Sequence, residues 1–334
     1  MKRTRSILCA VFAAGILCGF IVHDVLYKEH SKTGFAMNTA VTVKIRGGSE
    51  QLLSSVLESV WDMDKLNLSR TSEQSEVYLI NSLHALYGVS DTTLSAVKIA
   101  LTVGEKSAGA FDAVLGAVSD LWNFTAAEPA VPDEAELKAA LAVSGSDKIK
   151  LEGSRITLAE GAVLDLGAVG KGAACDGARE VLKNSRAKSA IVSVGGSVLL
   201  YGNTKYTVGI RNPFGSDSQY AGKLKLSNTC VSTSGTYERF FYKDGVRYHH
   251  ILDSASGYPV NNGVVSVTVV CSSGALSDAL STACLALGLE DGRRLAQEFG
   301  AQSIFITEDM KMYVSSGIKD AFEPDEGGAF TLAE

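Results

Sequence analysis

Asp278 and Thr282 stand four residues apart in SDALSTACLALG, so on a helix they share one face. A carboxylate and a hydroxyl are hard oxygen ligands, suited to Mg²⁺ when water and phosphate oxygens complete the octahedron. The same spacing equally serves an acid that complements the helix dipole and a threonine that bonds back into its own helix. A second pattern, Asp165-Leu-Gly-Ala-Val-Gly-Lys171-Gly172, reads as a buried strand that ends in glycines and hands over to a helix led by a lysine. Open amides at a helix start, with a lysine beside them, suit a phosphate. The spacing is not that of a Walker A loop, and an ordinary strand-to-helix turn with a solvated lysine would look the same. The third is Tyr248-His249-His250-Ile251-Leu252-Asp253. Neighbours on a strand face opposite sides, so only one of the two histidines can serve a given site as acid, base or ligand. Thr233-Ser234-Gly235, ahead of Tyr237-Glu238-Arg239, reads as a hairpin end in which small residues allow close approach to a ligand. Gly109-Ala110-Phe111-Asp112 precedes Leu121-Trp122-Asn123-Phe124, whose rings can stack on a flat ligand but more commonly fill a core.

The elements that must hold these residues follow from periodicity. Residues 35–45 alternate at Met37, Val41, Val43 and Ile45 and read as one strand ended by Gly47-Gly48. Ser49 caps a helix whose Leu52, Leu53, Val56, Leu57, Val60 and Trp61 follow the 3.6-residue period. Further helices are expected over 92–105, after Pro132, and over 170–183, 278–288 and 290–299. Residues 149–158 form a hairpin turning at Gly153, and AVLDLG follows as a buried strand. Between 189 and 270 short strands dominate, with Asp244-Gly245 as a hairpin turn. SIFIT and KMYVS close the chain as strands. Together this predicts an α+β fold: one domain over 31–334, with room for two lobes, behind a separate segment at 1–30.

That segment is built for targeting. Lys2, Arg3 and Arg5 precede an apolar run over 7–22, followed by polar residues from His23, which is the layout of a signal anchor or signal peptide. It predicts a body on the extracytoplasmic face, anchored or exported. With 31 Lys+Arg against 37 Asp+Glu, the formal charge of −6 argues against nucleic-acid binding. The 6 cysteines lack a CxxC pair, and Cys175, Cys230, Cys271 and Cys284 sit among small or apolar neighbours as packing thiols.

Taken in order, SEVYLIN, GAFD, LDLGAVGKGAACD, VSVGGSV, VSTSGTYERFF, YHHILDSASGYPV and SDALSTACLALG resemble the FAD:protein FMN transferase (ApbE-type) family over nearly the whole body. The resemblance implies cleavage of FAD at its pyrophosphate with Mg²⁺. FMN passes to a Ser or Thr hydroxyl of an acceptor protein as a phosphoester, and AMP leaves. A Mg²⁺-dependent FAD pyrophosphatase that releases FMN and AMP to water is the alternative. Carried over by matching positions, the metal ligands would be Asp278, Thr282 and the backbone oxygen of Ala168. FAD contacts would be Met37, Ala110, Phe111, Asp112, Asp165, Lys171 and Ile251. His250 would be the catalytic histidine, with His249 as the other choice. The implied partners are extracytoplasmic flavin acceptors such as subunits of ion-pumping redox complexes, with the N-terminal segment at the membrane. The sequence departs from the family near Thr71, where an aromatic residue is common, and at Ser254 and Ser256 of Asp253-Ser-Ala-Ser256-Gly257, where Asp-Pro-x-Thr-Gly is usual.

Overall fold

The computed structural model describes residues 28–333 apart from 217 and 326; the apolar run over 7–22 lies outside them. Nine strands form one sheet, in the order Glu29–Ala36, Thr39–Arg46, Ser189–Val194, Ser197–Gly202, Thr229–Gly235, Val264–Cys271, Gln302–Thr307, Lys311–Val314 and Thr331–Ala333. Every neighbouring pair is antiparallel except the last, Lys311–Val314 with Thr331–Ala333. With its helices and three small sheets this is an α+β fold. Among the described residues, no helix is long and apolar enough to cross a membrane.

Two helices carry the candidate chemistry. Gly167–Lys183, here the lysine helix, packs on Ser189–Val194 and Ser197–Gly202. Gly274–Leu287, the aspartate helix, packs on Thr229–Gly235 and Val264–Cys271. They cross each other backbone to backbone. A Cβ on Gly172 would lie 1.9 Å from the Gly274 carbonyl oxygen, and one on Gly274 would lie 2.2 Å from the Gly172 oxygen. Only glycine at both positions permits this approach. Asp176 of the lysine helix fastens the crossing: its carboxylate accepts from the Gly274 and Ala275 amides and the Ser273 hydroxyl, so it caps the N-terminus of the aspartate helix from outside.

The structure departs from the sequence expectation in four places. Residues 35–45 are two strands, because Met37 and Asn38 both adopt positive φ (51° and 56°) and turn the chain into a hairpin. Residues 162–166 of AVLDLG are not a strand; only Val163 forms a bridge, to Leu115. The Asn81 amide replaces a neighbouring strand there, donating to the Leu164 carbonyl and accepting from the Leu164 amide. Thr229–Gly235 is a central strand and not a hairpin end, since its Ser232 and Ser234 hydroxyls face the aspartate helix and are satisfied there. The lysine helix starts at Gly167, three residues before the expected 170, because Asp165 Oδ1 accepts from the Gly167 amide and caps it.

Phe240–Lys243 and Val246–His249 form a separate two-stranded ribbon around the Asp244-Gly245 turn, both turn residues at positive φ. One of its faces is anchored by rings: Phe241 stacks on Tyr248 at 5.5 Å, and Tyr248 lies 5.4 Å from Trp122. Trp122 is fully buried and donates to the Gly257 carbonyl, so this aromatic group is core and positions the loop after the histidines.

Candidate active site

The crossing of the two helices places Asp278 against the start of the lysine helix. Asp278 is 2% exposed, and its Oδ2 accepts from the Gly172 amide at 3.0 Å. In a regular helix that amide belongs to the Ala168 carbonyl, four residues back, so the carboxylate reaches the group that Ala168 faces. The Lys171 ammonium lies 3.6 Å from Asp278 Oδ1 and donates to the Gly167 carbonyl at 3.2 Å. Thr282 follows one turn after Asp278 and makes a 2.9 Å hydroxyl contact with Ser234 on the central strand. Asp278, Thr282 and Ala168 offer one anionic and two neutral hard oxygens. That set fits a magnesium ion whose remaining ligands are substrate phosphate and water. Among the described residues there is no cluster of three or more His, Cys, Asp or Glu able to hold a metal on its own.

The two histidines have separate environments. His249 is buried; its Nε2 bonds the Val260 carbonyl at 3.0 Å, and its Nδ1 accepts from the Ile251 amide at 3.3 Å. Both nitrogens are thus spent on backbone, and burial lowers its pKa to about 4. The His250 backbone amide donates to the Arg239 carbonyl, closing the root of the ribbon. Its Nδ1 is buried with no hydrogen-bond partner among the described residues. Burial first, then the charges of Arg239 and Lys171, hold this imidazole neutral, with a pKa of about 3. Glu238 faces the same cluster; although it is exposed, the protein wall raises its carboxyl, while Lys171 and Arg211 pull it back down.

The remaining candidates lie in turns and loops. The Asp165 amide donates to the Ala113 carbonyl, joining the start of the lysine helix to the loop of Ala110, Phe111 and Asp112. Phe111 and Asp112 of that loop line a cavity of about 230 Å³ with Ser144, Gly145, Asp147 and Ser254. A larger open depression of about 460 Å³, around Lys188, Tyr201 and Asn228, contains none of the candidates. Asp112 accepts from the Val114 amide, and burial raises its carboxyl. Phe111 and Ile251 are 5% and 6% exposed, and their amides donate to Ser107 Oγ and His249 Nδ1. Met37 sits in its turn, its amide donating to Asp64 Oδ2 at 2.9 Å.

Sequence reasoning missed Arg70. Its guanidinium donates to Asp165 Oδ2 at 2.6 Å and to Asp120, tying three separate segments together at the start of the lysine helix. Asp165 therefore has both carboxylate oxygens engaged by protein groups, Gly167 on one side and Arg70 on the other. No motif announces Arg70; it is a single arginine in a polar stretch, 95 residues before its partner.

The model of the ApbE family matches residues 37–305 of this chain. A protein of Treponema pallidum named FAD:protein FMN transferase is 34% identical over 322 residues, covering 88% of each chain. One of the same name from Klebsiella pneumoniae is 30% identical, covering 90% of this chain and 96% of its own. The crystal structure of the ApbE protein from Thermotoga maritima superposes with a TM-score of 0.79 at 31% identity, covering 89% of this chain and all of the other. The flavin transferase ApbE from Vibrio cholerae gives a TM-score of 0.77 at 26% identity over 88% of this chain and 99% of its own.

Proposed function

This chain belongs to the ApbE family, and from that premise we propose that it transfers FMN from FAD to a side-chain hydroxyl of an acceptor protein. The observation that carries the reading is the pairing of Asp278 with Lys171 where the two helices cross, with the Asp278 carboxylate held by the Gly172 amide. Asp278, Thr282 and the Ala168 carbonyl would hold magnesium, which when bound neutralises charge on the pyrophosphate. Lys171 adds a positive charge at the same place and favours the negative pyrophosphate. The acceptor's Ser or Thr oxygen attacks the phosphorus that carries FMN, the bond from that phosphorus to the AMP oxygen breaks, and AMP leaves. The hydroxyl proton passes to the imidazole of His250, whose buried Nδ1 has no hydrogen-bond partner among the described residues. An anionic substrate offsets the charges of Arg239 and Lys171, which raises the basicity of that imidazole when it is needed.

The basic and apolar residues at the N-terminus support a location outside the cytoplasm, tethered or exported. The acceptors would then be extracytoplasmic, with subunits of ion-pumping redox complexes as first candidates. The test is to incubate the full chain with FAD, Mg²⁺ and each purified candidate. A transferase yields AMP together with an acceptor heavier by one FMN phosphoester. Free FMN and AMP with every acceptor unchanged would overturn transfer in favour of the pyrophosphatase.

A further inference from the structure

The hydroxyls behind Thr282 form a chain whose proton directions can be worked out. Ser281 Oγ donates to the Asp278 carbonyl at 2.9 Å. Ser234 Oγ lies 2.7 Å from Ser281 Oγ and 2.9 Å from Thr282 Oγ1. A hydroxyl has one proton to give and lone pairs to receive with. Ser281 has spent its proton on the carbonyl, so it accepts from Ser234. Ser234 has then spent its own, so Thr282 must donate to Ser234. The carbonyl of Asp278 is also the one a threonine at 282 would use to bond back into its helix, and Ser281 occupies it. Thr282 thus has its proton drawn toward the strand and its lone pairs left on the other side. Ser234 and Ser281 are both buried, so water does not scramble this order.

We infer that Ser234 is a positioning residue for the divalent cation: by taking the Thr282 proton it fixes that hydroxyl with its lone pairs outward, as a ligand must present them. The inference rests on the proposed reading that Asp278 and Thr282 hold a metal. It gives a specific task to the second serine of VSTSG. Partners that orient a ligand typically change metal affinity by about 10–100-fold when removed.

The test is Mn²⁺ alone, titrated into the full chain and followed by the electron paramagnetic resonance signal of the free ion. Ser234→Ala should weaken Mn²⁺ binding by about 10–100-fold, while Ser234→Thr, which keeps the hydroxyl, stays near the wild type. Ser281→Ala frees Ser234 to donate to Thr282 and should weaken binding several-fold, although Ser281 is not a proposed ligand. Circular dichroism melts check that each variant is folded; if Ser234→Ala is not, Ser281→Ala carries the test. Unchanged Mn²⁺ binding in the folded alanine variants, with a wild type that binds, overturns the relay and leaves the metal reading intact. A wild type that takes up no Mn²⁺ overturns the metal reading, and the relay with it.

Discussion

Replacing Gly172 by alanine tests how far the site depends on the backbone contact between the two helices. The added Cβ would lie 1.9 Å from the Gly274 carbonyl oxygen, 2.4 Å from the Gly274 carbonyl carbon and 2.8 Å from Asp278 Cβ. Ordinary contact begins near 3.4 Å, so the helices must part by about 1.5 Å. None of the three is the free end of a flexible side chain, so the strain cannot be relieved by a rotamer change. Overpacking of this kind costs about 1–3 kcal/mol. Parting the helices also breaks the bond from the Gly172 amide to the buried Asp278 carboxylate, a further ~1.5–3 kcal/mol. The expected loss is therefore about 2.5–6 kcal/mol, and at about 2–4 °C per kcal/mol the melting temperature should fall by about 5–24 °C. Because the displacement separates Asp278 from Lys171, FAD cleavage should drop by about 100-fold even in the folded fraction. Gly177→Ala is the control: its Cβ meets only the terminal methyl of Met63, which can move away. Thermal melts by circular dichroism and AMP release by chromatography read the two effects. A Gly172→Ala protein that melts within 1–2 °C of the wild type and cleaves FAD normally would refute the argument.

Other perturbations separate the roles assigned to the site. Asp278→Asn keeps the shape but removes the charge, and should lower AMP release by about 10²–10³-fold, read at saturating FAD and Mg²⁺. His250→Ala should abolish transfer with little loss of stability, whereas His249→Ala breaks the tie to the Val260 carbonyl and should destabilise by about 1–3 kcal/mol in urea melts. Both imidazoles have folded pKa values depressed from 6.5, to about 4 for His249 and about 3 for His250. The unfolded chain therefore binds more protons, so their stabilisation is fully present above pH 6.5 and is lost as pH falls toward 3. Melting temperature plotted against pH over that window should slope less steeply in His250→Ala than in the wild type; equal slopes would contradict the burial of a neutral His250. Arg70→Met frees Asp165 and Asp120 and should raise the KM for FAD more than it lowers kcat, measured in steady state.

The motifs were legible where chemistry and local geometry coincide. Asp278 and Thr282 share a helix face because their spacing requires it, and the Asp244-Gly245 turn follows from residues that tolerate positive φ. The central strand Thr229–Gly235 was not legible, because Ser232 and Ser234 occupy buried positions where alternation would place apolar residues. Their polarity is offset by Ser277, Ser281 and Thr282, partners more than forty residues away. Residues 162–166 have the composition of a strand, yet an asparagine side chain takes the place of the neighbouring ladder. The division of labour between His249 and His250 was half legible: alternation says that they face apart, but only the Val260 carbonyl identifies which of them is committed to structure.

The most direct measurement is the fate of FAD mixed with the full chain, Mg²⁺ and a purified acceptor candidate, with AMP and acceptor mass followed in the same sample. Transfer at this site predicts one AMP released for each FMN gained by the acceptor, with both products lost in Asp278→Asn. FAD recovered whole, or AMP produced equally by the wild type and Asp278→Asn, would contradict it.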